Sequence, residues 1–369
     1  MGTNAIFDPH VWAAVPFHFW SVMFFALGTI VGSFLNVCIY RMPLGFSVVS
    51  PPSFCPHCRY SIPFYLNMPL VTWVVLGGRC KNCKAAISLR YFMVEMLTGL
   101  LFLWVWQVFG HKAPELAPAY WLLLSGLLVA TFIDLEYFII PDEITLGGIL
   151  AGLVVSIMLP GLHHTSARLE AFKLALLGAV IGGGVVYGIL RLGKLLFGRQ
   201  KMALPPGSRV LFTETALHLP DREIGYEDLF YRQTDTIHFH AHSLELVDRG
   251  YKNVLVRLSS SKLQIGDESL NPEDVPFLDA ECSEIILPRE AMGLGDVKFM
   301  AAIGAFTGWQ GALFSLMLSS MIGASVGVAL ILMRRREWSS RIPYGPYIAL
   351  ASLVWVFWGK MILGFLFPS

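Results

Sequence analysis

Two aspartates stand at the ends of apolar segments. Asp296 closes Gly293-Leu294-Gly295-Asp296, which runs through Val297-Lys298 into a fresh apolar stretch. Asp134 ends another, in Thr131-Phe132-Ile133-Asp134-Leu135-Glu136-Tyr137. A carboxylate at the mouth of a membrane helix is costly unless it faces water or protein, so it reads as functional. Two such groups side by side can hydrolyse a peptide. They cannot both ionise, so the ionised one takes a proton from water while the protonated one polarises the scissile carbonyl. The same residues could instead serve a transporter as proton or cation sites. A second constellation uses four of the six cysteines, in Cys55-Pro56-His57-Cys58 and Cys80-Lys81-Asn82-Cys83. Two C-x-x-C knuckles can present four thiolates to one tetrahedral ion, a zinc ribbon with no open position and hence a structural role. A redox pair is the alternative, disfavoured in a reducing compartment.

Positioning these groups is the task of a membrane protein. The chain is 55% hydrophobic and 14% charged, against roughly 25% charged in soluble domains, and its mean hydropathy is +0.60. A net charge of +1 suggests no nucleic-acid partner. Spans of roughly 20 residues are expected at about 16–39, 91–110, 119–138, 144–161, 172–190, 297–308, 310–333 and 346–366. The first lacks a basic n-region and a cleavage site, so it is expected to be retained. The predicted fold class is therefore an α-helical polytopic membrane protein with about eight transmembrane helices. Basic residues gather in 41–90, in 191–295 and at Arg334, Arg335, Arg336 and Arg341, while 111–118 and 162–171 carry only Lys112 and Arg168. Eight spans put every basic segment on one side, which the positive-inside rule makes cytoplasmic. Both aspartates then fall at the cytoplasmic surface.

The expected organisation is a first helix in 1–40, a cytoplasmic four-cysteine zinc loop in 41–90, and helices 2–5 with Asp134 in 91–199. An inserted cytoplasmic domain rich in β-strands follows in 200–290, and the Gly-x-Gly-Asp motif with helices 6–8 fills 291–369. Strand-like runs at 209–213, 236–247 and 253–258, and a turn at Gly266-Asp267, mark the inserted domain.

Other residues are weighed against plainer roles. Asp142 follows Pro141 and precedes a span, a position that suits an N-cap. Glu136 and Glu143 read as solvated at the interface. Glu95 and Lys298 lie near the inner ends of spans and are expected to pair with each other or with nearby groups, unless Lys298 snorkels. Gly293 and Gly295 would allow a tight turn and close approach of a substrate strand. His238, His240 and His242 alternate and share one face of a strand, a solvated face or a metal site. Cys38 reads as a packed small residue, and Cys282 as buried or free.

Gly32-Ser33-Phe34-Leu35-Asn36-Val37 with Arg41 and Pro43 is followed by the two cysteine knuckles enclosing Asn67-Met68-Pro69-Leu70. Then come Arg90-Tyr91 with Val94-Glu95, and Asp134 before Pro141-Asp142. Gly293 to Lys298, Gly304-Ala305-Phe306 and Pro343-Tyr344-Gly345-Pro346 complete the series. This ordered set resembles the type IV prepilin peptidases over most of the chain outside 200–290. The resemblance implies an aspartyl protease that cleaves the leader of prepilins or type II secretion pseudopilins at the cytoplasmic face of the bacterial inner membrane. It further implies N-methylation of the new N-terminus with S-adenosylmethionine. Asp134 and Asp296 would be catalytic, with Gly293, Gly295, Lys298 and Glu95 in support and Cys55, Cys58, Cys80 and Cys83 as zinc ligands. Partners would be the substrates, membrane lipid and pilus or secretion assembly proteins. No Rossmann-type loop marks a methyl-donor site, so no cofactor-binding residue is named. Phe92 stands where the family often has Pro, and 200–290 replaces a usual short linker. A transporter and an inactive secretion scaffold remain the rival readings.

Overall fold

The computed structural model describes residues 16–197, 199–205, 207–213, 215–220, 223–226, 229–230, 235–288, 293–333 and 343–366. The N-terminal stretch in which a signal was sought, and Arg334, Arg335, Arg336 and Arg341, lie outside them. The chain divides into two units, one of residues 1–187 with 293–369 and one of residues 188–292.

The first unit is helical: α1 (Phe17–Arg41), α2 (Leu89–Phe109), α3 (Ala117–Tyr137), α4 (Asp142–Met158), α5 (Arg168–Phe197), α6 (Leu294–Leu332) and α7 (Gly345–Leu366). Five of these, α1, α2, α3, α5 and α6, are long and apolar enough to cross a membrane. The apolar part of α7, Gly345–Gly359, is shorter, and α4 has 17 residues. Expected spans six and seven meet within α6 at Gly308, where φ 73° and ψ 176° interrupt the helical backbone. Only glycine adopts that backbone without steric cost, so the expected boundary at 308–310 is a kink between two helical segments.

Helix α1 packs along α2 and both touch α3; α4 and α7 pack on α6, and α7 also on α3. Lipid offers no hydrophobic drive between apolar helices, so close contact relies on small side chains. At Gly152 of α4, an added Cβ would lie 2.7 Å from the Ala305 Cβ of α6. At Gly178 of α5, it would lie 2.1 Å from the Gly304 carbonyl oxygen.

The second unit is a nine-stranded antiparallel sheet: β1 (Arg199–Ala203), β2 (Arg209–Phe212), β3 (Ala216–His218), β4 (Glu223–Gly225), β5 (Thr236–Leu246), β6 (Gly250–Ser259), β7 (Leu263–Ile265), β8 (Glu268–Leu270) and β9 (Leu278–Pro288). Its order is β4-β3-β2-β9-β5-β6-β7-β8, with β1 also on β9. Gly266, at φ 57°, and Asp267 make the two-residue turn between β7 and β8. Ile237, Phe239 and Ala241 of β5 point into a core with Val210, Leu217, Val256 and Ile285. A register shift against β9 then switches the inward set to Leu244 and Leu246, as a bulge does when one strand gains a residue. His240 and His242 are exposed on the outer face, and the Thr236 hydroxyl bonds the His238 ring at 2.7 Å. Among the described residues these histidines form no group of three or more metal-ligand atoms. Cys282 is buried in this core, and burial pushes its thiol up to about 11.

Candidate active site

Helix α3 carries Asp134 on its last turn. Phe138 ends the helix in a left-handed conformation, its N–H donating to the Asp134 carbonyl. The Asp134 side chain is 6% exposed, and its Oδ2 accepts the Gly345 N–H at 2.7 Å. That donor lies at the first turn of α7, where N–H groups lack helical partners. Tyr344 is anchored beside it, its hydroxyl 2.9 Å from those of Ser319 and Ser320 on α6. A Cβ at Gly345 would lie 2.8 Å from Asp134 Oδ2. Gly345 belongs to a recognised motif, but a role beside Asp134 was not legible in it, because the contact crosses 211 positions.

Asp296 occupies the first turn of α6 and is half-buried. Its Oδ2 accepts the Gly293 N–H at 3.3 Å, the carboxylate half of a capping box. Gly293 is extended (φ −75°, ψ 153°) and Gly295 is helical, so neither uses the freedom expected of a tight turn. Gly295 serves close approach instead: a Cβ there would lie 3.3 Å from that of Ile140.

Helices α3 and α6, which carry the two aspartates, touch one another. The link between α3 and α4 rests Ile140 on Gly295, and α4 packs along α6. Lys298 Nζ then binds Asp142 Oδ1 at 2.6 Å. Asp134 and Asp296 are 162 positions apart in sequence (296 minus 134).

Several expectations change. Asp142 is not an N-cap: it is the first residue of α4 behind Pro141, makes no capping bond, and pairs with Lys298. Lys298 therefore pairs with a nearby group, the second of the two expected alternatives, and not with Glu95. Glu95 is 8% exposed and accepts the Leu70 N–H at 2.7 Å. Glu136 is ion-paired with Arg90 rather than only solvated.

The four cysteine sulfurs lie within 4.8 Å of one another. Cys55 and Cys83 Sγ are 3.8 Å apart, and Cys58 and Cys80 Sγ are 4.0 Å apart. Sulfurs at about 2.3 Å from a tetrahedral ion would be about 3.8 Å apart, whereas a disulfide needs about 2.05 Å. The knuckles are built alike. Arg59 and Lys84 follow the second cysteine of each with φ 55° and 60°, and return an N–H to the carbonyls of Cys55 and Cys80. The Tyr60 N–H and then the Asn82 amide hold the Cys58 thiol down to about 6. The N–H groups of Cys83 and Asn82 lower that of Cys80. Such thiolates could hold a metal ion.

The family model for the bacterial peptidase A24 N-terminal domain matches residues 26–109. That for the type IV leader peptidase family matches residues 121–204 and 275–328. β1 and β9 fall within these matches, and β2 to β8 between them. A prepilin leader peptidase/N-methyltransferase of Aeromonas hydrophila is 28% identical over 94% of this chain and 93% of its own. One of Pseudomonas aeruginosa is 28% identical over 91% and 89%. One of Myxococcus xanthus is 44% identical over 44% and 45%. No solved structure matches. With both family models matched over more than half of its length and relatives along nearly all of it, the chain belongs to the type IV leader peptidase family.

Proposed function

We propose that this protein cleaves the leader peptide of type IV prepilins and then N-methylates the new N-terminus, with Asp134 and Asp296 as the hydrolytic pair. The observation that supports the assignment is that each carboxylate, on helices that touch one another, is held by one backbone N–H. Two carboxylates acting on one peptide bond share one proton, and their titration belongs to the pair. The ionised carboxylate draws a proton from water, and the oxygen attacks the scissile carbonyl carbon. The protonated carboxylate donates to the carbonyl oxygen. Collapse breaks the C–N bond, and the leaving nitrogen takes a proton from the pair. The Gly345 and Gly293 N–H groups fix one oxygen of each carboxylate and leave the other free for these transfers.

The clustering of basic loops supports an inner-membrane protein with this pair at the cytoplasmic face. The sulfur spacing supports zinc held by Cys55, Cys58, Cys80 and Cys83, a cross-link of the loop between α1 and α2 with no open position for chemistry. When bound, S-adenosylmethionine supplies an electrophilic methyl group to the freed amine.

Cleavage of a prepilin by the purified protein tests the reading. Asp134→Asn and Asp296→Asn keep the shape but cannot share the proton, so each should abolish cleavage while the protein stays folded. Wild-type rates in either variant would remove that residue from the pair. A wild type that cleaves no prepilin would revive the transporter and scaffold readings.

A further inference from the structure

The loop between α1 and α2 turns an apolar face outward. Phe64, Tyr65, Met68, Val71, Val74 and Val75 are each more than half exposed, Phe64 at 88% and Val75 at 76%. Val71, Val74 and Val75 share one side of the short helix Val71–Val75, at i, i+3 and i+4. The other side is fastened to the bundle. The Trp73 ring packs on Phe92 of α2, with ring centres 5.2 Å apart, and the Leu70 N–H donates to Glu95.

Those attachments set the depth of the face. Glu95 lies about 9 Å along α2 from its first residue, Leu89, at 1.5 Å per residue. It is level with Gly32 of α1, where an added Cβ would lie 2.8 Å from the Glu95 Cα. Gly32 stands about 13 Å short of Arg41, the last residue of α1. In the same register, the Asn36 amide donates to the Tyr91 carbonyl at 3.0 Å. Asn67 and Pro69 share a hollow with Ile30 and Phe34, which are exposed on α1. The loop thus descends beside two helices long and apolar enough to cross a membrane, and its apolar face continues theirs. Its backbone suits that setting. The N–H groups of Leu70, Val71, Thr72, Val74, Leu76 and Gly77 are all bonded, as a chain near hydrocarbon requires.

Cations rim the face. Residues 42–88 hold Arg59, Arg79, Lys81 and Lys84 and no Asp or Glu. All four cations are exposed, in or beside the two cysteine knuckles. Lys81 Nζ lies 5.6 Å from the centre of the Tyr65 ring, so a cation borders the apolar residues directly. Apolar side chains edged by cations suit a membrane interface, where the apolar side sinks about 5–10 Å to the acyl boundary and the cations meet anionic headgroups. We infer that residues 64–75 are a membrane-dipping element, seated in the leaflet at the Arg41 end of α1 and held there by anionic lipid at the knuckle cations. The cysteine loop is then tied to the lipid surface at its tip as well as to α1 and α2 at its ends. The inference rests on the bundle crossing a membrane, not on the peptidase reading.

The test places the purified full-length protein in nanodiscs that carry a trace of phosphatidylglycerol with a photoreactive diazirine on its acyl chain. After photolysis, adducts are mapped by mass spectrometry. Adducts are expected on peptides covering 64–75 as well as on α1 and α2. Their absence from 64–75 while α1 and α2 are labelled overturns the inference. Replacing the tracer by the matching phosphatidylcholine should lower the yield on 64–75, relative to the helices, about fivefold or more; equal yields refute the anionic contact. Val74→Asp combined with Val75→Asp should lower it about tenfold, with melting temperature and helix labelling unchanged. A folded variant labelled like wild type overturns the inference, and the wild-type map decides alone should the variant not fold. Prepilin added in excess tests the rival occupant: labelling of 64–75 is expected to persist, and its loss would give the face to the substrate and overturn the lipid assignment.

Discussion

Gly345→Ala is the sharpest perturbation of the proposed pair, because it changes no ionisable group. The glycine does not use a left-handed backbone, so the cost of alanine is steric. The new Cβ would sit 2.8 Å from Asp134 Oδ2 and 3.3 Å from its Cβ and Cγ. Contacts under about 3 Å must be relieved, by moving either the carboxylate or the start of α7. Either movement breaks the 2.7 Å bond from the Gly345 N–H. A hydrogen bond to a charged group is worth about 1.5–3 kcal/mol. At 1.36 kcal/mol per tenfold, its loss corresponds to a fall of about 10- to 150-fold in kcat/KM. The assay is prepilin cleavage under single-turnover conditions. Gly364→Ala serves as control, since a Cβ at that site on the same helix meets nothing within 4 Å. A Gly345→Ala protein that cleaves within twofold of wild type would refute the claim that this N–H positions Asp134.

Three further outcomes are expected. Asp142→Asn removes the partly exposed ion pair with Lys298, costs about 0.2–1 kcal/mol, and leaves cleavage within about fivefold of wild type; loss of more than a hundredfold would move suspicion from Asp134 to Asp142. Elemental analysis should find about one zinc per chain, and Cys55→Ser should lose it and expose 42–88 to proteolysis; wild-type protein free of zinc but fully active would contradict the structural role. Residues 199–288 expressed alone should melt cooperatively with a β-type circular dichroism spectrum, since the sheet has its own core; an unfolded fragment would show that the sheet depends on the rest of the chain.

Groups that act over short stretches of chain were legible in the sequence. The cysteine knuckles, the alternation of Ile237, Phe239 and Ala241, and the Gly266-Asp267 turn each occupy a few residues, so local spacing encodes them. The Gly308 break coincides with the expected limit between two spans, although hydropathy could not show that the helix resumes at once. Asp134 and Asp296 were legible as costly groups in a membrane setting, because the cost depends on depth alone. Their partners were not. Which cation meets Asp142, which N–H meets Asp134 and which carbonyl of α2 meets the Asn36 amide are decided by helices packing across 55 to 211 positions. In an apolar bundle many faces look alike, and the small residues that select a neighbour, such as Gly152 and Gly345, carry no periodic signal. Asp142 shows the consequence: its local setting suits a cap, and the distant Lys298 takes it instead.

The pairing of β1 with β9 bears on how such a chain could diversify. Arg199 lies opposite Pro288 and Ala203 opposite Glu284, so the strand that enters the sheet domain and the strand that leaves it run side by side. The two ends of β2 to β8 are therefore gathered onto one ribbon. Material can be lengthened, shortened or exchanged beyond that ribbon without changing the gap that the chain bridges between α5 and α6. Variation would then accumulate at the far side of the ribbon, where it leaves the register of Asp296 with Asp134 untouched. Lineages could fit the same hydrolytic core with different accessory modules by simple insertion, with no redesign of the bundle.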